Sequence, residues 1–102
     1  MLIEDPANEA LFSVASVWEL SIKYSLRQAG LIDPYIFRQE LLDLGYEELP
    51  VTGLHALAVV SLPHIHKDPF NRILIAQASA ERALLLTVDS AIAKYPGPIR
   101  KV

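Results

Sequence analysis

The run Leu84-Leu-Leu-Thr-Val constrains this chain more than any other segment. A strand with water on one face alternates apolar and polar residues, whereas an uninterrupted apolar strand needs cover on both faces. The expectation is therefore a parallel strand buried between layers of helix. The neighbouring segments agree with that. Leu11-Phe-Ser-Val-Ala reads as an earlier strand, apolar on both faces, running into a helix at Ser16. Ser16 and Glu19 have the S-x-x-E spacing of a capping box ahead of Leu20, Ile22 and Leu26, and Gly30 marks that helix's end. Asp33-Pro34 starts a second helix with Asp as N-cap, and Gly45 stops it. Residues 48–52 are extended, and Thr52 caps a third helix through Leu54, Leu57 and Val60. Residues 61–67 form a loop. Asp68-Pro69 repeats the cap-plus-proline signal and opens a helix with Ile73, Leu74, Ile75, Ala76, Ala78 and Ala80, so apolar that it should be enclosed on most sides. A short helix from Ser90 to Tyr95, a Pro96-Gly-Pro turn and an edge strand at residues 99–102 finish the chain.

Strands alternating with helices indicate an α/β domain with a mainly parallel sheet. The chain's 102 residues suit one domain, residues 1–102, and its 52% hydrophobic content supplies a core. Nine basic against twelve acidic residues leave a net charge of −3, which excludes holding nucleic acid by bulk charge alone. The absence of Cys excludes disulfides, thiolate metal sites and Cys nucleophiles. No apolar run approaches the roughly 18 residues of a membrane span. Residues 1–6 lack the pattern of a signal peptide, so the expected location is cytoplasmic, with no membrane partner.

In such sheets ligands bind beyond the carboxyl ends of the strands. That rule gathers Glu19, which follows the first strand, and Asp89, which directly follows residues 84–88. Asp68 and Asn71, at another helix start, are placed to face the same crevice. Each also has a plainer reading. Glu19 completes a capping box, Asp68 is an N-cap, Asn71 is a polar residue in a first turn, and Asp89 caps the helix at Ser90. His64 and His66 share a loop with no third imidazole or thiolate beside them, which is a poor zinc signature, and they read as a solvated groove rim. Trp18, the single Trp, reads as a core anchor rather than a base-stacking platform. Lys23, Lys67, Arg72, Arg100 and Lys101 are candidate phosphate contacts, scattered through the sequence. Neither a Gly-rich phosphate loop nor a nucleophile elbow is present.

Three stretches together resemble the PIN domain, most closely the VapC-type toxin branch of toxin–antitoxin pairs. They are Ser13-Val-Ala-Ser-Val-Trp-Glu-Leu-Ser-Ile-Lys, Leu62-Pro-His-Ile-His-Lys-Asp-Pro-Phe-Asn-Arg-Ile-Leu-Ile-Ala-Gln-Ala and Leu85-Leu-Thr-Val-Asp-Ser-Ala-Ile-Ala-Lys-Tyr-Pro-Gly. The likeness spans essentially the whole chain, with the motifs in the family's order and spacing. It implies a PIN-like three-layer α/β fold around a mainly parallel sheet. It also implies Mg²⁺- or Mn²⁺-dependent endoribonuclease activity from clustered carboxylates, with RNA as substrate, a cognate antitoxin as partner and a homodimer as assembly.

Residue by residue, Glu19 and Asp89 match two of the family's acidic positions. Asp68 matches the first Asp of its Asp-Pro-Phe-Asp motif, and Asn71 stands where the second Asp is the metal-site residue. The catalytic candidates are thus Glu19, Asp89 and Asp68; the metal candidates are Glu19, Asp89 and Asn71; the RNA candidates are Lys23, Lys67 and Arg72. The family's opening strand, ending in Asp, has no counterpart. Residues 1–8 resemble the end of the helix that follows it, so a strand and helix of roughly 25–30 residues are missing relative to the family. That strand is central in the family. Its loss leaves three options: residues 11–15 and 84–88 pair directly, a second chain supplies the pairing, or the chain is not stable alone. Mg²⁺ sites depend on carboxylates, waters and phosphate oxygens, and removing two negative charges weakens them. The implied function is a VapC-like endoribonuclease, impaired in this form. The alternatives are an inactive PIN-like binding or dimerisation module, or a remnant.

Overall fold

The structure is a computed structural model describing residues 2–4, 10–65, 67–87 and 90–101, with the backbone alone at 90 and 91. Among these residues the order is β1 (Leu2–Glu4), β2 (Ala10–Ser13), α1 (Val14–Ser25), α2 (Pro34–Asp43), β3 (Glu47–Leu49) and α3 (Gly53–Ala58). A 3-10 turn (Val59–Ser61) then leads to α4 (Pro69–Ala80), β4 (Leu84–Thr87), α5 (Ser90–Ala93) and β5 (Ile99–Lys101). The radius of gyration, 13.4 Å, matches the ~13 Å of a packed domain this long.

The five strands form one sheet in the order β3-β2-β1-β4-β5. β2 with β3 and β4 with β5 are parallel, while β1 is antiparallel to both its neighbours, β2 and β4. Four strands therefore share a direction and the central one opposes them. The sheet is mixed rather than mainly parallel. Residues 2–4 are also a strand and not the end of a helix. Neither direct pairing of the flanking strands nor a second chain is needed, because the gap expected at the sheet's centre is filled from within.

The reason lies in the residues. Ile3 sits opposite Leu11 on one side and Leu85 on the other, and it is fully buried. Burying one such side chain contributes about 1.5–3 kcal/mol. Pairing also satisfies the backbone groups that β2 and β4 would otherwise leave open.

Leu11, Phe12 and Ser13 are all buried, so β2 is covered on both faces. In β4, Leu85 and Thr87 are buried while Leu84 and Leu86 are half-buried. One face is sealed and the other partly covered. The core gathers Ile3, Leu11, Leu74, Ile75, Leu85, Ile92 and Tyr95. As expected, α4 is the most enclosed helix, with Asn71, Leu74, Ile75, Ala76, Gln77 and Ala78 buried.

Helix ends follow local chemistry, with corrections. Strand β2 stops at Ser13, which is the N-cap of α1 and accepts from the Ala15 N–H at 3.0 Å. The Ser16–Glu19 capping box does not form. Ser16 lies inside the helix, and its hydroxyl is buried without a hydrogen-bond partner. Ser13 wins because strand geometry at that residue already gives the extended backbone an N-cap requires. Helix α1 ends at Ser25, not at Gly30, and the chain turns through Arg27 in the left-handed region (φ 56°). Asp33 and Pro34 start α2 as expected, and Gly45 (φ 92°) follows its end. No residue of α2 is buried. An exposed two-pronged pair ties it to β3: Arg38 Nε and Nη2 donate to Glu48 at 2.6 and 3.2 Å. The hydrogen bond to Glu48, then its charge, raises the Arg38 pKa above the ordinary guanidinium value. The final helix is a single turn, Ser90–Ala93, shorter than the expected run to Tyr95. No helix among the described residues is long and apolar enough to cross a membrane.

Candidate functional site

An apolar groove of about 650 Å³ opens between the first turns of α1, the segment around α3, and the start of α4. Its walls include Val14, Trp18, Val51, Val59, Phe70 and Ile73, with Lys67 and Arg72 also lining it. That volume falls in the range of small-molecule and cofactor pockets, about 300–1,000 Å³. Trp18 and Phe70 meet edge to face, with ring centroids 4.9 Å apart and planes at 74°. This contact fixes α1 against α4. Trp18 is nevertheless 60% exposed, so it is a groove wall and not a core anchor. The buried position on this stretch is Ala15.

The sequence candidates distribute as follows. Glu19, on α1 one residue past Trp18, pairs with Lys23 one turn on at 3.5 Å. Asp68 caps α4, its Oδ1 accepting from the Phe70 and Asn71 N–H groups at 2.9 and 3.3 Å. Asp68 and Asn71 are thus brought together by capping. Asn71 is buried, 8% exposed, in the first turn of α4. Lys67 and Arg72 share the groove with Trp18. The Arg72 guanidinium donates to the Val59 and Pro63 carbonyls, each at 3.1 Å, and so holds the segment that follows α3. His64 is exposed. Asp89 and His66 lie outside the described residues.

Among the described residues, no three His, Asp or Glu side chains converge as a metal-binding group would. Glu19 is neutralised by Lys23, Asp68 is turned to backbone N–H groups, and Asn71 offers a neutral amide. Among the described residues, Glu19, Asp68 and Asn71 do not by themselves make a divalent-cation site.

A buried polar network stands beside the groove, and the sequence reading missed it. Thr52 caps α3, accepting from the His55 N–H, while His55 Nδ1 accepts from the Thr52 N–H at 3.0 Å. The backbone N–H is an obligate donor, so the proton of the neutral ring sits on Nε2. From there it donates to Glu81 Oε1 at 2.7 Å. Gln77 is fixed the same way. Its Nε2 donates to the Pro50 carbonyl at 3.3 Å and approaches His55 Nδ1 at 3.4 Å. Its Oε1 accepts from the Ser13 hydroxyl. Ser13, Gln77 and His55 are at most 1% exposed. The network therefore ties the start of α1 to α3 and α4, the elements that build the groove. The available signal was Gln77, a polar residue inside an otherwise apolar helix, together with a histidine at the third position after the Thr52 cap.

Compared with protein-family models, curated proteins and solved structures, the chain gives no match in any of the three.

Proposed function

We propose that the chain is a PIN-like domain of the VapC toxin branch, directed at RNA, with endoribonuclease activity weakened in this form. One observation supports this above others. The motif residues Glu19 and Asn71 belong to two helices joined by the contact of their neighbours, Trp18 and Phe70. In sequence, Asp89 follows the end of β4 by two positions. Three motifs of the resemblance thus fall on α1, α4 and the carboxyl end of β4, where open α/β sheets hold ligands. The proposed cation is Mg²⁺ or Mn²⁺, held weakly because an amide at Asn71 replaces a carboxylate. Lys23, Lys67 and Arg72 are the proposed RNA contacts.

The groove favours a second reading, a binding module. A concave apolar surface with an exposed Trp18 suits an apolar segment of a cognate antitoxin, with Lys67 attracting acidic residues at its rim.

Mn²⁺ titration calorimetry on the chain, on Asp89→Asn and on Asn71→Asp tests the first reading, alongside incubation with single-stranded RNA. Weak binding that vanishes in Asp89→Asn, and that tightens about tenfold in Asn71→Asp as a charge is restored, supports the nuclease. A folded chain that binds no Mn²⁺ even as Asn71→Asp sinks it and leaves the binding module.

A further inference from the structure

His55 occupies a place where only one protonation state fits. Its ring is 1% exposed. Nδ1 receives the Thr52 N–H, and Nε2 faces the Glu81 carboxylate. A protonated imidazole has no acceptor. Adding a proton at Nδ1 would set an N–H against the Thr52 N–H, and against the Gln77 amide at 3.4 Å. Turning the Gln77 amide over to accept it would cost the Ser13 hydroxyl its acceptor, and the Thr52 N–H would still lose Nδ1. Glu81 meanwhile supplies a counter-charge on the Nε2 side, with a side chain 45% exposed. A proton on Nδ1 is thus incompatible with the capping box.

Among the described residues, α3 packs chiefly against α4 and the 3-10 turn. The turn has no titratable residue. On α4 and its C-cap the charged groups are Arg72 and Glu81, with Arg82 next in the chain. Arg72 is turned to the Val59 and Pro63 carbonyls, and Arg82 is exposed. Glu81 is the one hydrogen-bonded to the ring.

We propose that His55 is an acid-sensitive latch on the groove: protonation breaks the Thr52–His55 capping box and releases the wall built from Val51, Ala56 and Val59. The latch is a property of the groove itself, whether its occupant is RNA, a peptide or neither.

The test is nuclear magnetic resonance of the full chain carrying His64→Gln and His66→Gln, so that His55 is the histidine observed. Between about pH 8 and about pH 5, where imidazoles ordinarily titrate, three signals are followed. These are the His55 ring nitrogens, hydrogen exchange at the Thr52 amide, and Trp18 fluorescence. The expected result is loss of Thr52 protection by about tenfold or more with the same midpoint as the ring, and a concurrent change in Trp18 emission. Glu81→Gln removes the counter-charge and should move the midpoint to lower pH. His55→Gln keeps a standard capping-box residue that does not titrate, and should make Thr52 and Trp18 indifferent to pH. The proposal is overturned if His55 titrates while the Thr52 amide stays protected. It is overturned equally if the ring remains neutral in the folded chain at the acid end, or if the Glu81→Gln midpoint does not move.

Discussion

Replacing Gln77 by Met isolates the buried network with little change of shape. The two side chains have similar length and volume, so the exchange leaves no large cavity. What it removes are the acceptor for the Ser13 hydroxyl and the donor to the Pro50 carbonyl. Ser13 is fully buried, and a buried donor without a partner costs about 1–3 kcal/mol. Pro50 is exposed, so water replaces its partner, and that loss is nearer ~1 kcal/mol. Greater apolarity of Met offsets part of the total. The expected net destabilisation is about 2–3 kcal/mol, a large share of the roughly 5–15 kcal/mol that holds a domain together. Urea unfolding followed by circular dichroism should show the midpoint falling by about 1–2 M with an unchanged slope. Ser13→Ala alone removes the α1 cap and should cost about 0.5–2 kcal/mol. In the double variant the stranded hydroxyl no longer exists, so the combined loss should fall short of the sum by about 1–2 kcal/mol. A Gln77→Met midpoint equal to the parent's, or strict additivity in the double variant, would refute the claim that this network holds α1, α3 and α4 in register.

Two further perturbations probe the sheet and the groove. Ile3→Ala should cost about 2–5 kcal/mol by urea unfolding, because Ile3 packs at the sheet's centre between Leu11 and Leu85; a loss below ~1 kcal/mol would mean that residues 2–4 do not hold that place. Arg72→Met should free the Val59 and Pro63 carbonyls, lower stability by about 1–3 kcal/mol, and speed amide exchange across residues 59–63; unchanged exchange there would show that Arg72 does not hold the segment.

Sequence patterning by itself determined the alternation of strands and helices, the α/β class, and the starts of α2, α3 and α4. These depend on short-range chemistry: Asp33 and Asp68 before prolines, Thr52 before a helix, and apolar runs too long for a one-sided strand. The start of α1 was misread because Ser13 and Ser16 are equally good caps in isolation. Only the end of β2, set by its pairing with β1 and β3, decides for Ser13. The tertiary structure alone decided what fills the middle of the sheet. Three residues, Leu2–Glu4, are too few to show a strand period, and their direction depends on partners distant in sequence. It likewise decided that Trp18 lines a groove, since exposure of a large apolar side chain depends on what other elements leave uncovered. The Ser13–Gln77–His55–Glu81 network joins residues up to 64 positions apart. A polar side chain in an apolar stretch announces that it needs partners, and only the packed chain specifies which ones it finds.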